Sequence, residues 1–187
     1  MDQRDLVERA GAGDPDAFGQ LVDGSIARLE AVARLILRDP ELAKDAIQDT
    51  YLRAWRDLPG LRDPDRLDAW LHRLTVNACI DVTRRRKRRP IELDLTPLES
   101  WAINDETGLV ADRDELEHAF RQVAPDQRAI LVLHYYLGMP IPAVAETLGI
   151  PVGTAQSRLS RALGTLRRVV HRRHDSGAAV PDAGRAS

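Results

Sequence analysis

The stretch LDAWLHRLTVNACIDVTRRRKRR, Leu67 to Arg89, ends in an unbroken basic run and is stopped by Pro90. Within it Leu67, Trp70, Leu71, Leu74, Ala78 and Val82 recur at steps of three and four. That spacing gathers them on one face of a helix, whereas a half-buried strand alternates every second residue. Any fold for this chain must therefore bury one side of a long helix and leave its strongly basic end accessible. Arg73, Asn77, Asp81, Arg84 and Arg88 share a different stripe, with Arg85 beside it. An amide, a carboxylate and several guanidiniums in one line suit a polyanion track with some base discrimination. The same stripe also fits a solvated helix face in which Asp81 pairs with Arg84 or Arg85.

The segment before it reads as a helix from Glu41 to Asp57, separated from Leu67 by a loop rich in proline and glycine. Ala43, Ile47, Tyr51, Ala54 and Leu58 point inward, flanked by Ala46 and Trp55, while Asp45, Gln48, Asp49, Arg53 and Arg56 lie opposite. An acid-to-base gradient suits the helix macrodipole without any further role. A flat polar face bordered by Leu52 could equally dock a partner protein. Further upstream, Leu6 to Gly13 forms a short helix. Asp14-Pro15 opens a longer one, carried to Leu37 by Phe18, Leu21, Val22, Ile26, Leu29, Val32, Ala33 and Ile36. Asp39-Pro40 ends that helix and starts the next.

After Pro90 the helical period lapses. Residues 90–112 hold Glu92, Asp94, Glu99, Asp105, Glu106 and Asp112 but no Lys or Arg, which reads as a flexible acidic linker. Fully extended at ~3.3 Å per residue it reaches on the order of 75 Å, so the units it joins serve a partner larger than either. The second unit starts near Arg113. Leu116, Ala119, Phe120 and Val123 line one helix. Ala129, Ile130, Val132, Leu133, Tyr136 and Leu137 give the next a wide apolar surface ended by Gly138. Then come a short helix from Pro142 to Leu148, a turn at Gly149-Ile150-Pro151, and a helix from Gly153 to about Val170. This is helix-turn-helix spacing. Thr154, Arg158, Arg161 and Thr165 form an outward stripe, with Gln156 and Ser157 beside it where a recognition helix meets base edges. An ordinary helical hairpin with an arginine face is the alternative. The expected fold is all-α, with two small helical domains, residues 1–89 and 113–173, joined by the linker 90–112. Residues 174–187 are small, polar and turn-rich and read as a disordered tail.

Several function classes have no home here. Cys79 is the only cysteine and sits among apolar neighbours, so neither an internal disulfide nor a thiolate metal cage is available. The five histidines, His72, His118, His134, His171 and His174, form no spaced ligand set. Phosphate-binding glycine loops and nucleophile elbows are missing from the sequence, so we expect a protein that is not an enzyme and needs no cofactor. The charged start MDQRDLVERAGAGDPD lacks a signal-peptide core, and no stretch approaches the ~20 apolar residues of a spanning helix. A cytoplasmic protein without membrane insertion is expected.

Taken in order, these segments resemble one family, the extracytoplasmic-function group of bacterial sigma factors, from about Asp14 to Arg173. DPDAFGQLV is similar to the family's opening helix. AKDAIQDTYLRAWRDL resembles the segment that docks on the polymerase clamp helices. DAWLHRLTVNACIDVTRRRKRR resembles the helix that melts and reads the minus-ten element. The stretch from Leu116 to Arg167 is similar to the minus-thirty-five domain. The resemblance implies a subunit that binds core RNA polymerase, at its clamp and flap regions, and directs recognition and melting of promoter DNA. It places Asp45, Gln48, Asp49 and Leu52 against polymerase. It places Arg73, Asn77, Asp81, Arg84, Arg85 and Arg88 along minus-ten DNA, with the loop from Leu61 to Asp68 holding a flipped base. Thr154, Gln156, Ser157, Arg158 and Arg161 meet the upstream element. The acidic linker threads the polymerase's RNA path, Trp70 belongs to the core, and an anti-sigma protein is a further partner. The chain departs from the family pattern at Ala143, Val144, Ala155 and Gln156. The loss of a cation at Gln156 bears on upstream sequence preference rather than on fold. A helix-turn-helix regulator that binds duplex DNA without polymerase is the alternative, and it leaves Glu41 to Arg89 without a role.

Overall fold

In the computed structural model of this chain, the structure describes residues 2–88 and 117–177. Helix α1 spans Gln3–Gly11, α2 Pro15–Leu37, α3 Pro40–Asp57 and α4 Leu67–Arg88. Helix α5 covers residues 117–122, α6 Pro125–Leu131, α7 Ile141–Leu148 and α8 Val152–Gly177. Two single 3-10 turns, Leu58–Gly60 and Pro64–Arg66, fill the loop between α3 and α4. No strand occurs among the described residues.

Local chemistry sets most of these boundaries. The Asp14 carboxylate accepts from the backbone N–H groups of Asp16 and Ala17, at 2.9 and 3.1 Å, and Pro15 fills the first helical position. Asp39 does the same for α3, accepting from Leu42 N at 3.0 Å ahead of Pro40. Each cap satisfies donors that the first turn leaves without a partner. Arg38 turns the chain between α2 and α3 with φ 57°, a left-handed conformation that costs a non-glycine residue roughly 1–2 kcal/mol. Gly149, at φ 63°, ends α7 without that penalty, and Ile150 N reaches back to Ala145 O at 3.0 Å.

Helices α1 to α4 pack around Leu29, Val32 and Ile36 of α2, Ala46 and Ile47 of α3, and Leu71, Val76 and Cys79 of α4, all nearly inaccessible. Thr50 and Thr75 are buried among them because their hydroxyls donate to Ala46 O and Leu71 O, at 2.7 and 2.9 Å. Trp70 is half-buried against this core, in line with the sequence reading. A smaller cluster of Val123, Leu131 and Ala162, with Phe120, Leu159, Leu163 and Leu166 around it, holds α5, α6 and α8 together. The two units are also in contact. Ile130, Leu133 and Val144 join the core of the first unit, and α6 and α7 lie against α2 and α4. Arg38 donates to Glu117, and Arg66 to Glu146 at 2.8 Å, across the same boundary.

Three expectations change. The first helix begins at Gln3, earlier than Leu6, because the Asp2 carboxylate accepts from Arg4 N. Tyr136 is not part of the inward surface: Val132–Tyr136 form a π turn, whose extra residue rolls Tyr135 and Tyr136 outward to 61% and 51% exposure. Helix α8 runs to Gly177, so residues 174–177 of the expected tail are helical. The linker 90–112, the start of the second unit and residues 178–187 lie outside the described residues.

Candidate nucleic-acid interface

Helices α3 and α4 pass each other in opposite senses, which brings Asp49 opposite Arg85 and Arg53 opposite Asp81. Of the predicted minus-ten set, Arg73, Arg84 and Arg85 are exposed and Asn77 and Asp81 half-buried, all on α4. Arg88 belongs to the same helix, with its side chain outside the described residues. The bases at this end differ in how they are held. Arg85 lies 3.1 Å from Asp49, and Arg86 donates to Asp39 at 3.0 Å, the same carboxylate that caps α3. Arg84 has no ion pair among the described residues. Asp81 accepts from Arg53 at 2.9 Å rather than from Arg84 or Arg85, a partner on another helix that spacing along α4 could not reveal.

On α3, Asp45, Gln48 and Leu52 are exposed along one line, Leu52 at 71%. Trp55, three residues on, is 41% exposed and continues the line. Sequence reading had it flanking the core. The edge of Phe18, 4.9 Å between ring centroids, holds the indole in place. An exposed Leu–Trp pair beside an acid and an amide is what a docking surface presents to a protein. Asp49 departs from this line. Its side chain is only 28% exposed, and its Oδ2 lies between Arg85 at 3.1 Å and Arg53 at 3.8 Å.

The loop from Leu61 to Asp68 is tied down at several points. Asp63 caps its 3-10 turn through Asp65 N at 3.1 Å. Arg4 of α1 donates to Asp65 at 2.8 Å, Gln3 to Pro64 O at 3.3 Å, and Arg28 to Asp68. Leu61 is half-buried within it. Deeper in α4, the His72 ring is buried with no partner for Nε2. Burial first and Arg28 second hold its pKa below the ordinary range, and Asp68 pulls the other way. Burial also pushes the Cys79 thiol up to about 12, which makes it an inert core group.

The second predicted face lies on the first turns of α8. Gln156, Ser157 and Arg161 are exposed there, and Thr154 and Arg158 half-exposed. Ser157 Oγ donates to Thr154 O at 3.0 Å, Arg161 Nε to Ser157 O at 3.2 Å, and Arg158 lies 3.9 Å from Asp126 of α6. These contacts pre-order the side chains and leave their outer edges open. Ala155 is fully buried, so its small volume bears on packing, while Gln156 is exposed. Both faces carry exposed arginines beside polar side chains. Arginines and short polar side chains in such lines suit contact with an extended anionic polymer. Sequence reasoning missed Arg128 of α6, which is 6% exposed without a hydrogen-bond partner for Nε. Burial first and then neighbouring Arg38 lower its pKa to about 10.

Comparison with known proteins gives one consistent result. Residues 21–89 match the family model described as Sigma-70 region 2, and residues 113–166 match Sigma-70, region 4. The chain is 37% identical over 160 residues to the ECF RNA polymerase sigma factor SigM of Mycobacterium tuberculosis, covering 85% of this chain and 80% of that one. It is 33% identical over 135 residues to the RNA polymerase sigma-E factor of Streptomyces avermitilis, covering 72% and 74%. Among solved structures, CnrH in complex with the cytosolic domain of CnrY matches with a TM-score of 0.63 at 27% identity, covering 91% of this chain and 99% of that one. The sigma factor RpoE in complex with the anti-sigma factor NepR, from Bartonella quintana, also gives 0.63 at 27% identity, covering 82% and 96%.

Proposed function

The chain belongs to the extracytoplasmic-function RNA polymerase sigma factors of the sigma-70 family, and from that premise we propose how its surfaces divide the work of initiation. It is a sigma factor: it binds core RNA polymerase and directs initiation at promoters. Asp45, Gln48 and Leu52, with Trp55, dock on the polymerase clamp. Arg73, Asn77, Arg84, Arg85 and Arg88 meet minus-ten DNA, and the braced loop from Leu61 to Asp68 receives a base turned out of the stack. Thr154, Gln156, Ser157, Arg158 and Arg161 read the upstream element from α8. The linker 90–112 carries its negative charge through the polymerase's RNA path, and the second unit rests on the flap.

The work is binding throughout. Phosphate contacts position the protein, and extruded bases hold the bubble open. We assign no covalent chemistry and no cofactor to the chain, and we place its action in the cytoplasm beside polymerase and DNA. The anti-sigma factor NepR, bound to the similar sigma factor RpoE, supports an anti-sigma partner here too, and we place it over the faces of α3 and α4.

The observation that carries this reading is the exposed Leu52–Trp55 line on α3 standing next to the basic stripe of α4. A free-standing regulator has no use for the first. The test is binding of the full chain to promoter DNA pre-opened at the minus-ten element, with and without core polymerase. Binding that requires polymerase and weakens with Asn77→Ala is the expected result. Equal binding to closed duplex in its absence would establish the independent regulator instead.

A further inference from the structure

Arg53 belongs to neither of the surfaces assigned above. It lies on α3 between the polymerase-facing line and α4, its side chain 25% exposed, with Asp81 at 2.9 Å and Asp49 at 3.8 Å. Asp49 in turn holds Arg85 at 3.1 Å. Charges of alternating sign thus run Arg85, Asp49, Arg53, Asp81, with Asp49 and Arg53 one turn apart on α3 and Asp81 and Arg85 one turn apart on α4. No like charges meet along this ladder, and its two middle members are largely withdrawn from water.

The ladder answers a difficulty in the α4 stripe. Asp81 sits between Asn77 and Arg84, where a bare carboxylate would repel a phosphate backbone. Arg53 neutralises it from behind, off the stripe, so its own guanidinium takes no place on the DNA side. The planar fork of an arginine also fixes orientation, which a point charge does not. Cross-linking two packed helices at two levels sets the roll of one against the other.

We infer that Arg53 is a positioning residue for promoter melting. It neutralises Asp81 and, through the ladder Arg85–Asp49–Arg53–Asp81, fixes the angle between the polymerase-docking face of α3 and the DNA-facing stripe of α4. Asp49 then works mainly as a rung of this ladder, turned toward α4, and less as a clamp contact. The inference rests on the sigma-factor reading of α3 and α4.

The test uses the full chain with core polymerase and a promoter carrying 2-aminopurine in the non-template minus-ten strand. Core affinity, thermal melting and the rate of fluorescence rise at saturating polymerase are measured for wild type, Arg53→Gln, Arg53→Lys, Asp81→Asn and the double Arg53→Gln with Asp81→Asn. Arg53→Gln is expected to keep core affinity within about twofold and to open DNA about tenfold more slowly, within the range of coupling between contacting residues. Lysine, keeping the charge but not the planar fork, restores only part of the rate. The double variant opens faster than Arg53→Gln alone, because the exposed carboxylate is gone. Should Arg53→Gln unfold, Asp81→Asn and Arg53→Lys carry the same comparison. A tenfold loss of core affinity with unchanged opening at saturation would make Arg53 a polymerase contact and overturn the proposal. So would losses from Arg53→Gln and Asp81→Asn that simply multiply. Either result leaves the sigma reading standing, whereas a wild-type chain that opens no promoter with polymerase overturns both.

Discussion

At the scale of single residues, His72 gives the fold a measurable response to acid. Its ring is buried, with Nε2 lacking a hydrogen-bond partner, and burial and Arg28 hold its pKa below 6.5. In the unfolded chain the ring protonates near 6.5. Between that value and its lower native one, the unfolded state therefore binds more protons, and stability falls as pH falls. The melting temperature should drop between pH 7 and 5.5, and His72→Gln should flatten the slope. An identical slope in that variant would mean the ring protonates freely in the native state. The position of His72 within α4 was legible from spacing. Its burial was not, because the second unit and α2 cover α4 over more than the single stripe that periodicity marks. The same limit hid the partner of Asp81. A sequence pattern pairs residues along one helix, while Arg53 comes from another.

Among the elements, those whose ends are set by adjacent residues were the readable ones. Asp14-Pro15 and Asp39-Pro40 announced α2 and α3, because cap and donor lie within three residues of each other. Asp39 serves twice, accepting from Leu42 N and from Arg86, both at 3.0 Å. Asp39→Ala should cost about 1 kcal/mol from the lost cap, with little added by the solvent-facing ion pair. Asp39→Asn, which keeps the cap, should recover most of it in chemical denaturation. If Asn is as poor as Ala, the ion pair to Arg86 is the larger contribution. Gly149 likewise made the helix-turn-helix legible, since a left-handed C-cap favours glycine. Gly149→Ala should lower stability by roughly 1–2 kcal/mol, read by thermal unfolding of the full chain. The π turn at Val132–Tyr136 left no such mark. Whether an apolar run takes one extra residue per turn depends on what its neighbours leave room for, and with the roll went the orientation of Tyr135 and Tyr136.

For the whole molecule, size decides what the packed arrangement can do. A compact body the size of the described residues has a radius of gyration of about 15 Å, so it measures roughly 40 Å across. Two promoter elements some ~25 base pairs apart are separated by about 85 Å at ~3.4 Å per pair. On the proposed reading, the α4 and α8 faces cannot both be seated on straight DNA while α6 and α7 lie against α2 and α4. On that reading the units must therefore part at a promoter. One feature of the interface favours parting. It holds Arg128 buried beside Arg38, two cations of which, among the described residues, only Arg38 has an acidic partner, in Glu117. Burying a cation without a counter-charge is unfavourable and opposes the packing of Ile130, Leu133 and Val144 and the ion pairs Arg38–Glu117 and Arg66–Glu146 that hold the contact. Energy transfer between dyes at Glu41→Cys and Arg167→Cys, in a Cys79→Ala background, should be high in the isolated chain and fall when polymerase and promoter are added. Arg128→Met should raise the transfer of the isolated chain and delay its fall, since it removes the repulsion and keeps the volume. Unchanged transfer on adding polymerase and promoter would mean that the packed units stay together at the promoter, and that the DNA bends to meet them.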